Sequence, residues 1–324
     1  MKKMILLLTI LFLPLNTYAY SDYIIAGGST LGVEVNTDGV MIIGFYKIDG
    51  KYSRGKPQLR GGDYILSIND TEVETVSDMT KIIENASDKR KVQITYRRGQ
   101  DIKTTTLPLV LSDGKYKTGL YVKSEIKGIG TLSYIDPETK IFGALGHEIS
   151  DADTNSIIEI KSGVIFENTI TGIQKSKPGV PGSKLASFNY ENKYGQIYKN
   201  TKYGIFGIYD GSYDSEDIMK VGEAQIGSAY IKTVLDGQEV KLYDIEITSL
   251  NENNQTKNIT FKILDNTLLE KTGGVIQGMS GSPIIQNDKI VGILTHVIVD
   301  NPVTGYGLLV TKMLEEGDKI FTSE

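Results

Sequence analysis

The chain is 324 residues long, which at roughly 100 to 200 residues per domain suits two domains. Its 40 acidic and 35 basic residues leave a formal net charge of -5, so the overall balance does not point to nucleic acid, whose binding rests on neutralising phosphates. There is no cysteine, which excludes disulfides, thiolate nucleophiles, Cys-ligated zinc and iron-sulfur clusters. The only imidazoles are His147 and His296, so any imidazole base is one of these two and a His-rich metal site is impossible.

The first 19 residues read as an export signal. Lys2 and Lys3 precede an apolar run from Met4 to Leu15, interrupted by Thr9 and Pro14, and Thr17-Tyr18-Ala19 offers small residues for cleavage after Ala19. The run falls short of the about 20 residues that a membrane span wants, and the alternative is a short retained anchor.

Between residues 25 and 110 the pattern is mixed. Leu31-Gly32-Val33-Glu34-Val35 and Val40 to Phe45 are β-prone runs separated by a turn at Asn36 to Gly39. Gly61-Gly62-Asp63 leads into the alternating strand Tyr64 to Ile68, Ser77 can cap a helix carrying Met79, Ile82, Ile83 and Ala86 on one face, and Val92 to Tyr96 closes the unit. At these residues the segment resembles a PDZ domain, an α+β fold. Leu31-Gly32-Val33 stands in the place of the family's carboxylate-binding loop, and Gly62-Asp63-x-Ile65-x-x-Ile68-Asn69 in the place of its most recognisable run. The resemblance implies that backbone N–H groups around Gly32 accept the carboxylate of a C-terminal peptide, which extends the neighbouring strand edge.

Residues 109–118 read as a linker into a second domain, 115–324, where short β-prone runs alternate with Gly, Asn, Asp and Ser clusters and long helices are nearly absent. That pattern suits one closed barrel or a pair of them. The Pro/Gly stretch from Lys175 to Lys184 and the acidic stretch from Asp210 to Asp217 read as loops.

Two patches here carry chemistry. Gly278-Met279-Ser280-Gly281-Ser282-Pro283 puts a serine in a tight glycine-flanked turn before an apolar strand, where the hydroxyl protrudes and the backbone N–H groups of Gly278 and Ser280 converge as in an oxyanion hole. Ser282 occupies the position where an α/β-hydrolase elbow needs glycine. Phe142-Gly143-Ala144-Leu145-Gly146-His147-Glu148 presents a histidine after an apolar strand. The second histidine of an H-E-x-x-H zinc site is missing, so metal catalysis is set aside, and His147 fits the general base of a serine nucleophile as well as it fits a structural histidine. Ser282 as nucleophile, His296 as base and Asp151 as acid remain open as rivals. No metal or organic cofactor is implied.

Together the patches resemble the peptidase domain of the stage IV sporulation protein B family, serine peptidases with an N-terminal PDZ domain and a chymotrypsin-like double β-barrel. The match runs through Gly143 to His147, Gly273 to Asn287, Val291 to Val297 and Gly305-Tyr306-Gly307. The resemblance implies a triad of His147, Asp265 and Ser280, Asp265 lying fifteen residues before the serine. It also implies an exported sporulation endopeptidase that crosses the forespore inner membrane and works in the space facing the mother cell, where it cuts a membrane-associated regulatory protein and its own chain. Met279 precedes the serine where trypsin-like enzymes carry an aspartate, which removes the ion pair that a freed N-terminus would make. The alternative from another class is a non-catalytic PDZ adaptor with a decayed protease domain. A quality-control protease is disfavoured because there the PDZ domain follows the protease.

Overall fold

The computed structural model describes residues 20–52, 58–151, 154 and 156–320. The export segment read at 1–19 lies outside the described residues. The first part of the chain supplies β1 (Tyr23–Ala26), β2 (Thr30–Phe45), β3 (Tyr64–Ile68), α1 (Val76–Asn85), β4 (Lys91–Arg98) and β5 (Asp101–Pro108). Then come β6 (Leu120–Ile135), β7 (Ile141–Ala144), β8 (Ile160–Gln174), β9 (Gly182–Thr201) and β10 (Gly204–Tyr209). The last third holds β11 (Gly227–Val234), β12 (Val240–Leu250), β13 (Ile259–Ile263), α2 (Asn266–Thr272), β14 (Ile276–Gln277), β15 (Pro283–Gln286), β16 (Lys289–Val297), β17 (Thr304–Leu309) and α3 (Val310–Gly317).

The C-terminal strands form a closed barrel. The pairings run β11–β12–β13–β17–β16–β15 and return from β15 to β11. Alternation explains the faces: Tyr243, Ile245 and Ile247 of β12 point inward between Asp244 and Glu246, and Ile259, Phe261 and Ile263 of β13 between Thr260 and Lys262. The preceding strands close the first, N-terminal barrel as β6–β2–β8–β9–β10–β7, with the last strand returning to β6 at Leu132–Ile135, and the C-terminal ring is the second barrel. Closure leaves neither barrel with an open edge. Helix α3 lies across both, its Val310, Met313 and Leu314 buried with Tyr134 and Phe206 of one barrel and Ile293 and Leu308 of the other. The protein is mainly β, an N-terminal α+β unit of the expected PDZ plan followed by a domain of two barrels.

The PDZ core collects Val40 and Ile42 of β2, Ile65 and Ile68 of β3, Met79 and Ile83 of α1, and Val92 and Ile94 of β4. Helix α1 is capped by Thr75 rather than Ser77. Thr75 Oγ1 accepts from Asp78 N–H at 3.1 Å while the Asp78 carboxylate accepts from Thr75 N–H at 3.0 Å, a reciprocal capping box. The Gly-Gly-Asp run serves to anchor the sheet. Buried Asp63 accepts two hydrogen bonds from Arg98, both 2.7 Å, which ties the start of β3 to the end of β4. The stretch read as a linker forms a small hairpin, Val110–Ser112 with Lys115–Lys117. Of the two stretches read as loops, 210–217 ends in a 3-10 turn and 175–184 runs into β9 at Gly182.

Two strands pass between the N-terminal unit and the first barrel. β2 is shared: Val40 and Met41 pair with β3, while Leu31 to Asn36 run between β6 and β8 as part of the first barrel. β6 mirrors this, with Leu120–Lys123 beside the PDZ half of β2 and Glu125–Thr131 beside its barrel half. β1 also belongs with the barrel, pairing Ile25 with Ile135.

Candidate active site

The turn that carries Ser280 springs from the C-terminal barrel, between β14 and β15, and is pressed onto the N-terminal barrel. Gly278 and Gly281 take φ of +91° and +96°, left-handed values that favour glycine. A Cβ on Gly281 would lie 2.1 Å from Thr131 O and 2.6 Å from Leu145 N, so no side chain fits there. Thr131 of β6 holds the turn from across the cleft, its N–H donating to Ser280 O at 3.0 Å and its hydroxyl to Gly278 O at 2.8 Å. The N–H groups of Gly278 and Ser280 themselves engage no acceptor among the described residues.

His147 follows β7 through a bend at Leu145 and Gly146, whose φ values are +71° and +70°. Its Nδ1 lies 2.7 Å from Glu148 O. A carbonyl can only accept, so the proton sits on Nδ1 and Nε2 is left with its lone pair. Burial holds the imidazole below its ordinary pKa, partly offset by that carbonyl, and this keeps it neutral near pH 7. His296 of β16 lies alongside, ring centroids 5.3 Å apart and planes tilted by 43°. Its burial, with the neighbouring His147 and Lys257, pushes it down to about 4. Ser280, His147 and His296 all line one cavity of about 830 Å³ in the cleft between the barrels. The Ser280 hydroxyl donates to Thr295 O at 2.9 Å, and no hydrogen bond joins it to His147 in this arrangement.

A neutral histidine with an available nitrogen, a serine on a tight turn and two unengaged N–H groups share a cleft between closed β-barrels. The model of the SpoIVB peptidase S55 family matches residues 114–314, more than half of the chain. The chain belongs to the SpoIVB peptidase S55 family. A PDZ-domain model matches residues 30–109. Among solved structures, the PDZ domain of an SdrC-like protein from Listeria monocytogenes is 21% identical over 27% of this chain and 90% of its own. Its TM-score of 0.23 is too low to bear on the fold. No curated protein matches the chain.

This S55 peptidase brings together some of the residues singled out in the sequence and separates others. His147, Ser280 and the Gly278 turn meet. Asp265 does not join them: its carboxylate caps α2, accepting from Leu268 N–H at 2.8 Å, and it makes no contact with His147. The orienting bond that an acid would make to Nδ1 is made here by the Glu148 carbonyl. Asp151 is buried against Lys123 at 3.0 Å and accepts from Thr154 N–H, so it too is engaged elsewhere. Ser282 is fully buried and donates to Met279 O at 2.6 Å, a structural bond inside the turn. Met279 is buried in the second barrel's core, where an ionised aspartate would need a partner.

The residues Leu31-Gly32-Val33, expected as a carboxylate-binding loop, are a central strand of the first barrel. Gly32 pairs with Ile129 on one side and Phe166 on the other, and a Cβ there would fall 2.2 Å from the Phe166 ring. A backbone laddered on both sides has no N–H groups to offer a peptide. The strand standing beside α1 is instead the start of β6, where Ser124 Oγ accepts from Val76 N–H at 3.2 Å and Leu120 packs into the PDZ core.

Sequence reasoning missed Thr131 and Thr295, which grip the turn and hold the serine hydroxyl. Each is an ordinary threonine in a β-prone run, with no spacing to mark it. Among the described residues no group of three or more His, Asp or Glu side chains is placed to hold a metal ion.

Proposed function

We propose that this peptidase is a serine endopeptidase with Ser280 as nucleophile and His147 as general base. The observation that carries the reading is the shared cleft, in which His147, with Nε2 unprotonated, and Ser280 line one cavity below two unengaged backbone N–H groups. For attack, the Ser280 hydroxyl turns from Thr295 O toward Nε2 and gives it the proton as Oγ bonds to the scissile carbonyl carbon. The carbonyl oxygen becomes an oxyanion facing the N–H groups of Gly278 and Ser280, where such donors are worth about 10²–10³ in rate each. The imidazolium then protonates the leaving amine as the C–N bond breaks, and water repeats the steps to free the acid. The Glu148 carbonyl holds the tautomer throughout.

The family name supports a role in sporulation. The reading extends to an exported enzyme in the space between forespore and mother cell that cuts itself and a membrane-associated regulatory protein. A partner's C-terminal peptide would add as a strand where β6 passes α1, at Leu120–Val122, rather than at Leu31–Val33. The test is to incubate the purified protein and its Ser280→Ala variant with a fluorophosphonate probe and follow labelling and self-cleavage. Label and fragments confined to the wild type support the endopeptidase. A wild type that takes no label, with or without the PDZ ligand, favours the adaptor.

A further inference from the structure

The cleft contains a cation that the chemistry above does not use. The first two residues of β9 run parallel to β14, Gly182 beside Ile276 and Ser183 beside Gln277, and this register sets Lys184 level with Gly278. A Cβ on Gly278 would come within 3.1–3.2 Å of three carbons of the Lys184 stem, so lysine and nucleophile turn are in direct contact. Lys184 lines the same cavity as Ser280 and His147, and is only 3% exposed. Its ammonium has one hydrogen-bond partner, Thr233 Oγ1 at 3.2 Å, and no carboxylate among the described residues is in ion-pair contact with it. Burial alone pushes it down to about 7.

An ammonium carries three donors, and buried lysines are as a rule paired, because an uncompensated charge in a low-dielectric wall is costly. A core that wanted only the four-carbon stem would be served by methionine or leucine. The amine is therefore unexplained by packing, and no carboxylate among the described residues completes it as an ammonium. The other ionisable groups on the cavity wall, His147, Glu148 and His296, do not act on it. What reaches this cavity during turnover is a peptide, and the anion a peptide brings beside its scissile bond is a side-chain carboxylate.

We propose that Lys184 determines specificity in this cleft, its ammonium receiving the carboxylate of an aspartate or glutamate flanking the scissile bond, so that the substrates are acidic peptide segments. The proposal deepens the endopeptidase reading and rests on it for the location of the bond cut. A charged hydrogen bond formed in the cleft is worth about ten- to a hundredfold over the amide isostere.

The test uses the full-length protein and a degenerate peptide library, with cut sites read by mass spectrometry, alongside binding of matched acid and amide peptides to the Ser280→Ala variant. Wild-type cut sites should be enriched at least tenfold in Asp or Glu over Asn or Gln at one flanking position. Lys184→Met, its folding checked by thermal melt, should lose that enrichment. Uniform cutting by the wild type, or an acid preference that survives in a folded Lys184→Met, overturns the proposal. Should Lys184→Met not fold, the wild-type acid-to-amide ratio decides alone. Tighter binding of acidic peptides to Ser280→Ala, in a wild type that takes no fluorophosphonate label, would keep the lysine's role while removing the serine's.

Discussion

The two barrels are closed six-stranded rings of the same plan, built from very different stretches of sequence. In the C-terminal barrel, β11–β12–β13 and β15–β16–β17 are two local meanders, so most strand neighbours are also neighbours in the chain. In the N-terminal barrel, Leu31 pairs with Gly130 on one side and Glu167 on the other, with the whole PDZ domain lying between. The local barrel carries the Ser280 turn as a self-contained element, while the non-local barrel clamps that turn through Thr131 and presents His147. The PDZ domain and the cleft are thereby joined by β6, which packs on the PDZ core at Leu120 and reaches the Ser280 turn at Thr131.

The largest expected effect tests whether both barrels contribute to one reaction. His147→Ala should lower activity by about 10⁶, as loss of the base does in the template enzyme, while Ser282→Ala in the Ser280 turn should still take the fluorophosphonate label. Equal losses in the two variants would mean that the turn's integrity, not the histidine, is being read.

Next in size is the shared strand. Gly32→Ala should destabilise the fold by about 1–3 kcal/mol, because the added methyl meets the Phe166 ring, and the loss should appear as a lower denaturant midpoint. An unchanged midpoint with lost peptide binding would return Leu31–Val33 to the PDZ groove.

The histidines give a pH test. Both have folded pKa values below the ordinary 6.5, so the unfolded chain binds more protons just below that pH. Their contribution to stability is complete above about pH 6.5 and is lost as pH falls toward 4, a trend that melting curves can follow. Activity should fall over the acidic part of that range with an apparent pKa below 6.5, since protonated His147 cannot accept the serine proton. A profile whose acid limb sits at or above pH 7 would contradict a buried, neutral base.

The smallest effect concerns Asp265. Asparagine caps helices as well as aspartate does, so Asp265→Asn should leave both stability and kcat near wild type, whereas Asp265→Ala should cost about 1 kcal/mol. A drop near 10⁴ in kcat for the asparagine variant would restore Asp265 as the orienting acid.

Much of the PDZ and peptidase layout was legible because it rests on local signals. Alternation in Val240–Leu250 and Ile259–Ile263 marks strands, glycines at 278 and 281 mark a left-handed turn, and a chain with two histidines leaves few candidates for a base. The 20-residue strand β9 was not legible, since Ser183 to Tyr198 is polar and glycine-broken and is held by its neighbours rather than by its own pattern.

By itself, then, the sequence determined the β-rich class, the serine turn, the identity of the imidazoles and the absence of thiol chemistry, all properties of residue type and short spacing. Tertiary structure alone decided that Leu31–Val33 is laddered on both sides, that Asp265 caps a helix, and that Lys184 lies against Gly278. Those facts depend on which distant strands pair, and closing a ring across an inserted domain is a long-range event that no local pattern encodes.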